Sequence, residues 1–218
     1  MPVIELVHPF VSTCLDFNAL LKDCTKLSTF CARLEKQAKD SFDVDKYKGD
    51  GFELLVEALI KLSPVDKRIG ISDYRPIISS NTDVEQDIDV GVDGVGIGLN
   101  GKPATVQIKY RQADYILTAN KDHLTNFTSI SLLKYGVRAE DEDNMLIVTT
   151  AKDLHYQAHE DMFMGKVRTL NRIKLRQMLD DNCAFWRLFL QLWGNAKVKI
   201  AEEAKAKNVN TSPVAQEQ

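Results

Sequence analysis

Residues 93–109, DGVGIGLNGKPATVQIK, decide how the chain is read. Glycine alternates there with Val95, Ile97 and Leu99, the period-two pattern of a strand. Asn100-Gly101 follows, a strong signal for a tight hairpin. On the return stretch Val106 and Ile108 share one face, and Thr105, Gln107 and Lys109 share the other. The centre of the chain is therefore a hairpin with an aspartate, Asp93, at its entrance and a glutamine-x-lysine pair on its exit strand.

Working outward, residues 16–39 read as one amphipathic helix, with Phe17, Leu20, Leu21, Cys24, Leu27, Cys31, Leu34 and Ala38 at helical spacing. The stretch DSFDVDKYKGDG breaks that period and reads as a connection. A second helix, GFELLVEALIKL, follows with Asp50 placed to cap it and Pro64 to end it. Residues 69–79 hold one strand. Beyond the hairpin, residues 121–135 read as helix, 145–149 as a short apolar strand and 153–162 as helix. Residues 167–170 read as an extended piece, and 173–179 and 185–193 as helices. From Asn195 the chain turns small and polar and is expected to fray. Helix, strand, strand hairpin, helix and strand in this order describe an α/β fold, a mixed sheet with helices on its faces.

The 218 residues suffice for one sizeable domain with extensions. The start, MPVIELVHPF, has no basic region and no long apolar run, and no segment approaches the ~20 apolar residues of a membrane span. Cys14, Cys24, Cys31 and Cys183 lack metal-ligand spacing and read as reduced packing cysteines of a cytoplasmic protein. The net charge is −3. A surface that grips a polyanion everywhere would be basic, so nucleic acid could be held only through a local patch.

Hydrolysis of a phosphodiester needs a divalent cation held by hard oxygens and a positioned water. A carboxylate on one strand and a ligand-x-lysine on the next can supply both. Asp93 competes for the carboxylate role with Asp87 and Asp89, which also read as turn acids. If Leu99 pairs with Lys102, residue 93 sits beside Ile108 and the other two aspartates lie out of reach. That same pairing turns Asp93 away from Gln107 and Lys109, so a one-residue bulge is required, and Gly94 is its natural place. Glu53, on the second helix, is a further acid. Its three-residue spacing from Asp50 also fits a capping box. Lys166, Arg168, Arg172, Lys174 and Arg176 lie in an acid-free run and, with Arg111, form the candidate patch for DNA; a solvated helix face is the alternative reading. His123, His155 and His159 lack the glutamate of a zinc-peptidase helix and read as surface or packing histidines. Phe185, Trp186, Phe189 and Trp193 read as core or subunit-interface packing.

The runs KGDGFELLVEAL, DVGVDGVG and NGKPATVQIKYR, with DHLTNF and MLIVTTA after them, resemble the Mrr-like branch of the PD-(D/E)XK nucleases over residues 48–181. The resemblance implies a restriction-endonuclease-like αβββαβ core over residues 47–181. It leaves a helical N-terminal extension over 1–46 and a C-terminal helix and tail over 182–218. It also implies Mg²⁺- or Mn²⁺-dependent cleavage of DNA, with Glu53, Asp93 and Gln107 at the metal and Lys109 at the attacking water. Gln107 stands where the parent pattern has an acid, as is common in this branch. One metal or two stays open, as does a homodimer through the terminal helices. The rival expectation is a non-catalytic DNA-binding or assembly protein on the same fold.

Overall fold

The structure, a computed structural model, describes residues 4–63, 66–77, 91–155 and 167–210. Four helices come first: α1 (Phe10–Thr13), α2 (Phe17–Leu21), α3 (Leu27–Ala38) and α4 (Val44–Leu62). Strands β1 (Ile71–Pro76), β2 (Gly94–Gly98), β3 (Pro103–Lys109) and β4 (Ile116–Leu117) follow, then α5 (Leu124–Leu133). After β5 (Met145–Thr149), β6 (Asp153–Leu154) and β7 (Arg168–Leu170), the chain ends in α6 (Arg172–Leu179) and α7 (Cys183–Asn210). The main sheet has the order β1-β2-β3-β5-β7. Its first three strands pair antiparallel, while β3, β5 and β7 run parallel. This is the mixed, helix-flanked α/β sheet that the sequence implies.

Alternation along the central strands divides the interior. Ala104, Val106, Ile108, Leu146 and Val148 face the large core built with α1–α4, α6 and α7. Met145 and Ile147 face a smaller core with Leu124 and Phe127 of α5. Strand β5 is buried along its whole length, as an interior parallel strand must be. The terminal segments belong to the large core: Trp193 of α7 is fully buried, stacks near Phe10, Phe17 and Phe189, and donates its indole N–H to the Val11 carbonyl. Phe185, Trp186 and Phe189 are buried with it, which settles the aromatic run as core. Cys14, Cys24 and Cys31 are buried free thiols, and burial pushes Cys31 up to about 11; Cys183 is an exposed free thiol.

Four local expectations are corrected. Residues 16–39 form two helices, because Asp23 adopts a left-handed φ of 53° and tertiary partners cap both new ends. Arg33 donates to the carbonyls of Leu20 and Lys22, and Asp180 accepts the amide of Leu27. The helix carrying Glu53 begins at Val44, with Asp43 as its cap through the amide of Lys46. Asp50 is thus interior and pairs with Lys46, so Glu53 is no part of a capping box. Asp153 and Leu154 are strand, paired parallel with Ile116 and Leu117; residues 156–162 of the expected helix lie outside the described ones. Finally, α7 continues past Asn195 to Asn210, since its Ala, Lys and Glu residues have high helix propensity.

Glu57, fully buried on α4, fixes the N-terminal segment to the core. Its carboxylate accepts the amides of Val7 and His8 at 2.9 and 3.1 Å and the ammonium of Lys61 at 2.6 Å. Glu57→Ala strands all three donors and should lower stability by about 3 kcal/mol. Urea unfolding tests this: the midpoint should fall with the slope unchanged. An unchanged midpoint would show that the segment is held elsewhere.

Candidate active site

The hairpin turn sets the site's register. Its loop has three residues, not two: the Gly98 amide donates to the Lys102 carbonyl, and Gly101 closes the turn at φ 76°. Pairing is therefore Ile97 with Pro103 and Gly94 with Val106, one residue away from the expected register. A one-residue slip exchanges the faces of a strand. At the hairpin's entrance the Val106 carbonyl also takes the amide of Asp93. The bulge expected at Gly94 belongs to the Leu99–Lys102 register; the observed β2–β3 pairing runs from Gly94 to Ile97 without a register shift. A side chain at Gly94 is excluded: a Cβ would lie 2.3 Å from the ring of Tyr74.

This backbone seats Asp93 against β3. Its Oδ2 accepts the amide of Ile108, the residue between Gln107 and Lys109. Gln107 is fully buried, and neither its amide oxygen nor its nitrogen has a hydrogen-bond partner among the described residues. Stranding a buried polar group costs about 1–3 kcal/mol, so such an amide marks a place where an oxygen-seeking or hydrogen-bonding occupant is favoured. Gly91 passes so close that a Cβ there would sit 2.9 Å from the Gln107 nitrogen, and its φ of 98° suits glycine alone.

Lys109 is half-buried at the end of β3. Its carbonyl accepts the amide of Thr150 and the hydroxyl of Thr149. The Thr150 hydroxyl in turn donates to the carbonyl of Arg111 and accepts its amide. The two threonines that end β5 therefore clamp the strand end that carries the lysine.

Glu53 approaches from α4. Tyr74 connects it electrostatically with Asp93: the buried phenol is pushed well above its ordinary range, first by burial, then by the negative charges of Asp93, Glu53 and Glu57. Glu53 itself accepts a hydrogen bond from His8 at 3.1 Å. His8, Asp50 and Glu53 offer ligand atoms within 4.8 Å of one another, and Asp93 is outside that group. Sequence reading passed over His8, which sits in no motif, and treated Asp50 as a cap.

The proposed phosphate contacts are scattered over different surroundings. Arg111 pairs with buried Asp122 at 2.9 Å and lies over the ring of Tyr115. Arg176 pairs with Asp180. Arg168, half-buried, donates to the carbonyls of Asp143 and Lys67, and desolvation lowers its pKa. Arg172 and Lys174 donate to the carbonyls of Thr150 and Thr169, and neither has a carboxylate partner among the described residues. Arg172 thereby reaches the Thr150 clamp beside Lys109. Lys166, His159, Asp87 and Asp89 lie outside the described residues.

No described helix is long and apolar enough to cross a membrane. Comparison of the chain with known protein families, curated proteins and solved structures finds no match among any of the three.

Proposed function

We propose that this chain is a divalent-cation-dependent DNA endonuclease of the Mrr-like PD-(D/E)XK type. With the small β4-β6 sheet set aside, the succession α4-β1-β2-β3-α5-β5 is compatible with the αβββαβ order of that core. The observation that carries the reading is the Asp93 carboxylate seated on the amide between Gln107 and Lys109. It sets an acid against the strand that carries Lys109 and Gln107, whose buried amide has no hydrogen-bond partner among the described residues.

In chemical type the donors suit a hard cation: the Asp93 carboxylate and the Gln107 amide oxygen would hold Mg²⁺ or Mn²⁺, with Glu53, on the α4 face of the sheet, reaching it through water. Bound there, the ion supplies positive charge against the phosphate and acidifies a water. The chain's own residues do the remainder. Lys109 orients the attacking water and offsets charge as the new oxygen–phosphorus bond forms and the ester bond to the leaving nucleotide breaks. The Ile108 amide fixes the direction of the Asp93 carboxylate, and the Thr149–Thr150 clamp fixes the strand end on which Lys109 rides. The test is conversion of supercoiled plasmid to nicked or linear product with Mg²⁺ and with EDTA. DNA binding without conversion in Mg²⁺ or Mn²⁺ would favour the non-catalytic reading.

An acidic chain must hold DNA through few contacts, and Arg172 and Lys174 are the described cations best placed to do so. Removing one cation from a phosphate flattens the log–log salt dependence of affinity by about 0.9. Arg172→Glu with Lys174→Glu should therefore weaken binding and flatten the slope by about two units. Arg176→Ala, whose charge is already balanced by Asp180, should change the slope little. Matching salt titrations for the double variant and the parent would place the DNA path elsewhere.

A further inference from the structure

The N-terminal segment delivers an imidazole to Glu53, and no motif accounts for it. Residues 7 and 8 are fixed by backbone: both amides donate to Glu57, and the Glu5 carbonyl accepts Lys61 at 2.7 Å. The ring of His8 is buried, with a side-chain exposure of 7%. Its Nδ1 accepts the amide of Phe10 at 3.2 Å. A backbone amide can only donate, so Nδ1 carries the lone pair, and in the neutral ring the proton resides on Nε2. Nε2 lies 3.1 Å from Oε2 of Glu53.

This tautomer separates two roles for the cluster of His8, Asp50 and Glu53. Direct metal ligation by Nε2 would need its lone pair free, which would move the proton to Nδ1, against the Phe10 N–H. The geometry instead makes His8 a hydrogen-bond donor to Glu53. Asp50, the neighbouring acid one turn earlier, has its own donor in Lys46, 2.9 Å away. Each carboxylate is thus turned by a separate partner.

We propose that His8 is a positioning residue: its Nε2–H holds the Glu53 carboxylate in the orientation that a divalent cation at the hairpin requires. The N-terminal segment then completes the site instead of merely covering the core. This rests on the reading of Glu53 as a metal-site glutamate. Hydrogen-bond partners of ligating groups typically contribute about ten- to hundredfold in metal affinity or activity.

The test uses the full chain and Mn²⁺ binding measured by calorimetry on the parent, His8→Ala, His8→Gln and Glu53→Gln. His8→Ala should weaken Mn²⁺ binding by about tenfold or more. His8→Gln, which keeps an N–H donor, should recover most of that loss, while the two variants show similar melting temperatures. Nitrogen NMR of the parent should report a neutral His8 with its proton on Nε2, unchanged when Mg²⁺ is added. Parent-like binding by His8→Ala with weakened binding by Glu53→Gln would overturn the positioning role and leave the nuclease reading standing. Equal losses in His8→Ala and His8→Gln would mark a structural role and overturn it too. A proton found on Nδ1 in Mg²⁺ would make His8 a direct ligand, again against the proposal. Parent-like binding by Glu53→Gln, or no binding by the parent, would remove the metal role of Glu53 and the positioning role with it.

Discussion

Lys109→Ala should lower the proposed DNA cleavage by about two to three orders of magnitude while the protein stays folded. The expectation follows from where the residue's bonds lie. Its backbone carbonyl carries the contacts to Thr149 and Thr150, and alanine keeps that carbonyl. Its ammonium has no hydrogen bond or ion pair among the described residues, so truncation strands no buried partner there. The stability change should stay within about 1 kcal/mol. Single-turnover nicking at saturating Mg²⁺, with a thermal melt alongside, measures both. Parent-like nicking by a folded variant would take the water-positioning role away from Lys109.

Asp93→Asn should be nearly as damaging, for a different reason. Asparagine keeps an oxygen that can accept the Ile108 amide, so the hairpin's entrance is retained. What disappears is a full negative charge at the place where a divalent cation would be held. Cleavage at fixed Mg²⁺ should fall by about a hundredfold, and half-saturation should move to higher Mg²⁺. Asp87→Asn and Asp89→Asn should stay within a few-fold of the parent. An inactive Asp89→Asn beside an active Asp93→Asn would reassign the metal carboxylate.

The hairpin was legible because its information is local. Alternating glycines and Asn100-Gly101 placed both strands and brought Asp93 toward Gln107 and Lys109. The register was not legible, since Asn-Gly permits a two-residue turn and a three-residue turn with Gly101 left-handed equally well. Only the pairing of Gly98 with Lys102 decides between them. The break between α2 and α3 escaped for the opposite reason. It is made by distant partners, Arg33 and Asp180, that no local pattern announces. The apolar spacing still identified the inward face: Leu20, Leu21, Cys24, Leu27, Cys31, Leu34 and Ala38 are all buried. His8 shows the same limit at the site. Its contact with Glu53 spans 45 residues and depends on a buried carboxylate, Glu57, that reads in sequence as one more acid on a helix.

Charge behaves similarly. The acid-free run around Arg172 counts as a patch in sequence, yet folding divides it. Arg176 pairs with Asp180 and Arg168 is engaged by the carbonyls of Asp143 and Lys67, while Arg172 and Lys174 have no carboxylate partner among the described residues. Arg172 also donates to the carbonyl of Thr150, within the threonine pair that holds the strand end carrying Lys109.

Cleavage of DNA at this strand end, with a divalent cation, is the activity proposed for the chain. The most direct measurement is conversion of supercoiled plasmid by the purified parent, run beside Asp93→Asn/Lys109→Ala prepared identically. The parent should yield nicked or linear product in Mg²⁺ or Mn²⁺ and none in EDTA, and the double variant should yield none. No conversion by the parent with either ion, or equal conversion by the folded double variant, would contradict it.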